Sequence, residues 1–202
     1  LHWSCVRHRA CQREQWMRTI EVPMLPVVIP FGVAVFGVLL WILRSRGRVT
    51  IPRASVAAVL AIYAGGVLAN TVFPIFVYVG PAPDYGPQPL PLFLVPFVDY
   101  GLEDALINVV VFVPPGGLVP LLITRPSWWK VTAIVASASL AIELLQMATS
   151  ELASSVQRAD INDWGTNILG GVAGYGLFIF LARSEALNRI IQRFRWPTPQ
   201  EA

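Results

Sequence analysis

The sequence predicts an all-α fold: a polytopic integral membrane helical bundle of about five transmembrane helices, followed by a C-terminal amphipathic helix. Three observations lead there. The 202 residues are 55% hydrophobic and 13% charged, with a mean hydropathy of +0.59, whereas a water-soluble domain carries about 25% charged residues. Five stretches almost free of charge, 22–43, 54–79, 105–123, 131–149 and 164–182, are each long enough for a helix to cross about 30 Å of hydrocarbon. Basic residues gather in alternate connections between them, as membrane topology requires and the packing of soluble helices does not.

The elements follow in order. Residues 1–21 form an N-terminal extension with Arg7, Arg9, Arg13 and Arg18, on the side that the charge pattern otherwise assigns to the exterior. A start at Met17 would shed three of these arginines and both cysteines, Cys5 and Cys11, so a truncated or non-native start is the expectation. Two cysteines make neither a zinc site nor a disulfide framework. Residues 22–53 supply an additional N-terminal transmembrane helix and a connection crowded with Arg44, Arg46, Arg48 and Arg53.

Residues 54–182 form a four-helix membrane domain. Its connection 80–104 has no Lys or Arg and contains Asp84, Asp99, Glu103 and Asp104, whereas Arg125 and Lys130 flank the next one. The connection 150–163 sets Arg158 against Glu151, Asp160 and Asp163. Residues 183–202 form a tail in which Leu187, Ile190, Ile191 and Phe194 oppose Arg189, Gln192 and Arg193. The positive-inside rule places this tail and the basic connections in the cytoplasm, and the acidic connections outside. The tail then lies on the inner leaflet with its arginines near anionic headgroups. The net charge of +3 is thus topological, and no nucleic-acid partner is expected.

Six prolines between Pro81 and Pro96 exclude regular helix from most of the long acidic connection. Its apolar segment 90–98 is too short to span and reads either as an interfacial or re-entrant lid or as a loop packed on the helix ends. Trp41, Trp128, Trp129 and Trp164 fall at span ends, as an aromatic belt requires.

Polar residues inside the apolar stretches carry the functional argument, because ionisable groups in a membrane are costly and mark functional sites. Glu143 lies about 18 Å along its span, and Gln146 and Ser139 share its face. Asn108 and Asn167 lie about 5 Å below the outer ends of their own spans. Asp160, Asp163 and Asn167 line up if the last helix begins early. The expectation is that these groups, with Arg158, meet at one depth as a ligand-binding pocket. Each also has a plainer role: Asn108 and Asn167 can join helices by hydrogen bonds, and Asp160 or Asp163 can cap the last helix. Glu143 is expected either to pair with Arg158 or to stay protonated. Pro114, Pro115 and Gly116 are expected to break or kink the third span, and Gly170 and Gly174 to let two helices approach closely. His2 and His8 are the only histidines, so no metal centre and no cofactor are expected.

These motifs resemble the VanZ-like family of membrane proteins. Asn108, Phe112, Pro114 and Gly116 match one family motif, Glu143 and Gln146 a second, and Asp160, Asp163, Asn167 and Gly170 a third. The Val95-Pro96-Phe97 segment is similar to the family's loop element. The likeness covers roughly residues 55–182. It departs at Arg158, one position later than the family's arginine, and at Pro115, an added proline. The family is associated with reduced susceptibility to glycopeptide antibiotics such as teicoplanin in Gram-positive bacteria. The resemblance implies a multi-pass protein of a bacterial cell membrane with a role in envelope chemistry, and the shared depth of the polar residues leads to the expectation that an outward pocket binds a lipid headgroup or lipid-linked cell-wall precursor. An intramembrane carboxylate enzyme acting on a lipid phosphate and a proton-coupled transporter through Glu143 are the alternatives. Catalytic residues and oligomeric state are left open.

Overall fold

The computed structural model describes residues 18–79, 92–96, 100–153 and 159–197. Five long apolar helices dominate it, α1 (Leu25–Ser45), α2 (Ile51–Val72), α3 (Leu102–Leu122), α4 (Trp128–Ala153) and α5 (Ile161–Ala182), with a short α6 (Glu185–Phe194) after them. Each of the five has the length and composition to cross a membrane. Their surface agrees: Val33, Ile62, Val110 and Phe180 are each more than 60% exposed, a cost in water but the ordinary state in lipid.

Local sequence sets the helix ends. Gly47, at φ 64°, turns the chain after α1 in a left-handed conformation that suits glycine, and Pro52 falls in the first turn of α2, where its missing N–H costs nothing. The expected second span, 54–79, is corrected here. Its helix starts at Ile51 and stops at Val72, because Pro74 cannot donate to the helix and drives Phe73 into extended geometry. The run Ile75–Val79, rich in β-branched and aromatic residues, becomes strand β2. It pairs antiparallel with β1 (Arg18–Val22), Val22 opposite Ile75. Val22, drawn at the start of the first span, therefore belongs to this ribbon. A second, smaller pairing joins β3 (Leu92–Phe93) in parallel to β4 (Ala159–Asp160). It ties the long acidic connection to the start of α5. Leu94 and Val95 beside it are 63% exposed.

Pro114, Pro115 and Gly116, expected to break or kink the third span, do not divide it into two helices. α3 runs as one helix through Pro114, Pro115 and Pro120. Gly116 is a packing residue: a Cβ there would strike the backbone of Gly171 on α5. The same is true in the other direction, where Gly170 sits against the Val109 carbonyl and Gly174 against the Val113 carbonyl. α3 and α5 thus touch backbone to backbone along a glycine seam, as small residues permit in membranes. α4 closes on this pair, with Val135 against Gly171, and Phe112, Val119, Val131, Val135 and Tyr175 form the core between the three helices. α1 packs along α2, and only Leu43 of α1 is buried.

The C-terminal tail does form an amphipathic helix, α6, with Leu187 and Ile190 outward. The chain after it then returns to the bundle. Trp196 is 6% exposed and packs with Leu43 and Ala57, and its backbone N–H donates to the Leu121 carbonyl at 2.8 Å. Arg53 Nε donates to the Arg195 carbonyl at 2.8 Å, and Arg48 donates to the Trp196 carbonyl at 3.2 Å. The arginine-rich end of the bundle is therefore strapped.

Candidate functional site

The opposite end holds a polar cavity. α4 presents Ser139, Glu143 and Gln146 along one face, as a spacing of three and four residues dictates. α5 begins at Ile161, one turn earlier than the apolar stretch alone indicates, because Asp160 caps it. The Asp160 carboxylate accepts from the Asn162 backbone N–H at 2.8 Å and from the Asn162 side chain. This early start puts Asp163 and Asn167 one turn apart on the inner face of α5. α3 brings Asn108 from the other side of the glycine seam.

Three hydrogen-bonded groups result. Asp163 Oδ1 accepts from the Asn108 side chain and from the Tyr100 hydroxyl, the latter at 2.9 Å. Asn108 also reaches the Tyr100 oxygen, and Thr166 lies 3.0 Å from it. Burial holds the Tyr100 phenol above its usual pKa, so it stays a donor at neutral pH. Glu143, 6% exposed, accepts from the Asp160 backbone N–H at 2.9 Å. Asn167, 3% exposed, donates to Ser139, which is fully buried, at 3.0 Å.

Between these groups lies a cavity of about 490 Å³, lined from four helices. α2 contributes Tyr63, Asn70 and Thr71, α3 Asn108 and Pro114, α4 Glu143 and Gln146, and α5 Asp163 and Asn167. Its size suits a small-molecule site. Three buried polar atoms of its lining have no hydrogen-bond partner: the Tyr63 hydroxyl, Gln146 Oε1 and Asn167 Oδ1. Buried polar groups are nearly always satisfied, so three unpartnered atoms on residues of one lining single this region out.

Of the residues singled out in the sequence, Asn108, Glu143, Gln146, Asp163 and Asn167 line this one cavity. Asp160 stands beside it, joined to Glu143 through its backbone while its carboxylate serves the α5 cap. Arg158 lies outside the described residues. Gly170 and Gly174 hold the α3–α5 seam behind the cavity. Trp164, near the start of α5, donates its indole N–H to the Ala136 carbonyl of α4 at 3.0 Å.

Sequence reasoning passed over Tyr63, Asn70, Thr71, Tyr100 and Thr166. Asn70 was open to the same test as Asn108, a polar amide within an apolar run. Tyr63 reads as one more aromatic of a span, and Tyr100 as part of an acidic loop; only the fold brings Tyr63 into the lining and Tyr100 to Asp163.

The lining offers carboxyl and amide oxygens, one phenol and no cationic side chain among the described residues. No three of His, Cys, Asp and Glu among the described residues form a group that would hold a metal ion. The described lining is thus equipped to accept hydrogen bonds through its carboxyl and amide oxygens. The family model described as VanZ/LLP1 matches residues 60–182, more than half of the chain and the whole of the cavity lining. No curated protein and no solved structure matches the chain.

Proposed function

The chain belongs to the VanZ/LLP1 family, and on that premise we propose that its cavity binds the headgroup of an envelope lipid or lipid-linked cell-wall precursor. Such binding would alter the access of glycopeptide antibiotics of the teicoplanin type to the envelope. The observation that carries the reading is the cavity lined by Asn108, Glu143, Gln146, Asp163 and Asn167 with unpartnered polar atoms. Its lining belongs to the halves of the helices remote from Arg44, Arg46, Arg48 and Arg53, which supports an opening to the exterior of a bacterial membrane under the positive-inside rule. Glu143 and Asp163 receive the polar or cationic part of the ligand, while Asn108, Gln146 and Asn167 orient it.

The test is Glu143→Ala in a host that depends on the protein for reduced glycopeptide susceptibility. Loss of that phenotype, and of lipid co-purifying with the protein, is expected at unchanged membrane abundance. An unaltered phenotype together with unaltered lipid would remove the cavity from the function.

Two carboxyls on one cavity also favour a second reading, acid–base chemistry on a lipid phosphate. Turnover of a phospholipid or undecaprenyl-linked phosphate by the purified protein, lost in Asp163→Asn, would establish it. Absence of product with both substrate classes would exclude it.

A further inference from the structure

The bound group can be specified further, on the footing that the cavity holds a lipid at all. A phosphate or carboxylate head needs donors and positive charge. The described lining has neither Lys, Arg nor His, and it carries two carboxyls, Glu143 and Asp163. Two of the three unpartnered atoms, Gln146 Oε1 and Asn167 Oδ1, are acceptors only. Asn167 is 3% exposed, and its amide nitrogen donates to Ser139, which leaves its carbonyl oxygen as the atom without a partner. A head that donates several N–H bonds and carries positive charge complements three of these four acceptors at once. An ammonium does so with three donors on one atom.

The chain of such a lipid has a place as well. A second, apolar groove of about 440 Å³ runs between α1 and α2, lined by residues that include Val28, Val33, Ile62 and Gly65. It shares Gly66 with the polar cavity. An added Cβ on Gly66 would meet no atom within 4 Å, so the space over this residue is open. We propose that the cavity binds the primary ammonium of an amino-headed amphiphile, whose hydrocarbon crosses Gly66 into the groove between α1 and α2.

The experiment is native mass spectrometry of the purified full chain, titrated with dioleoyl phosphatidylethanolamine, phosphatidylcholine and phosphatidylglycerol. Ethanolamine lipid should bind about tenfold more tightly than either of the others, because choline has the charge without N–H donors and glycerol has no charge. Glu143→Gln, Asp163→Asn and Gln146→Met should each erase that preference, the last without touching a charge. Gly66→Leu should weaken the dioleoyl lipid much more than its dihexanoyl counterpart, and free ethanolamine should not compete at equal concentration. Equal binding of the three lipids, still lost in Glu143→Ala, would overturn the ammonium assignment while leaving a lipid site. Competition by free ethanolamine as effective as the lipid would overturn the route across Gly66. If no lipid is retained in any form, the binding reading itself fails.

Discussion

Asp163 receives the Asn108 amide from α3 and the Tyr100 hydroxyl from the preceding connection, so one carboxyl joins three separated parts of the chain. Glycine acts as decisively where it lets backbones meet. Gly174→Val would drive a side chain into the Val113 carbonyl, and the expected loss is about 3 kcal/mol, the upper end of overpacking costs. Gly165→Ala, whose added Cβ meets nothing within 4 Å, should leave stability unchanged. Thermal unfolding in detergent, run on both variants, checks the contrast. At this scale the sequence was informative where a polar residue interrupted an apolar run, as with Asn108, Glu143 and Asn167. It was silent where the partner was an aromatic hydroxyl, because Tyr63 and Tyr100 acquire their meaning only from neighbours distant in the chain.

Among the elements, α5 shows how a single cap moves a site. Asp160 fixes the first turn, and that turn carries Asp163 toward Asn108. Replacing Asp160 with Ala should cost about 1 kcal/mol of stability, and it should also loosen the parallel pairing of Leu92–Phe93 with Ala159–Asp160. Faster amide exchange at residues 92–93 and 159–163 would register both effects. The five helices themselves were legible from length and hydropathy, since membrane crossing leaves few other options. The β1–β2 ribbon was not. Ile75–Val79 is apolar and uncharged, so hydropathy extends the preceding helix through it; only the break imposed by Pro74 and a partner more than fifty residues earlier turn it into a strand. The prolines of α3 leave it a single helix. A proline lowers the number of helix bonds by one, but the glycine seam with α5 holds the helix in place, so it continues.

The whole molecule has two unlike ends. One carries the polar cavity, and the other carries the arginines and the returning C-terminal segment. A fluorescent-protein fusion after Ala202 should mature and a phosphatase fusion there should stay inactive, which is the cytoplasmic outcome that the arginine pattern predicts. Trp196→Ala should cost about 3–5 kcal/mol through the void left against Leu43 and Ala57. The loss would appear as a lower unfolding temperature, with bound lipid retained at the distant cavity below the transition.

The strap formed by Arg48, Arg53, Arg195 and Trp196 has a consequence for biosynthesis. Its hydrogen bonds join positions 142 and 148 residues apart, so the hairpin of α1 and α2 waits for residues 195 and 196 before its ring of contacts is complete. A nascent chain stalled before Trp196 holds all its crossings inserted and still lacks this closure. Closure at this end of the bundle therefore follows insertion of all five helices.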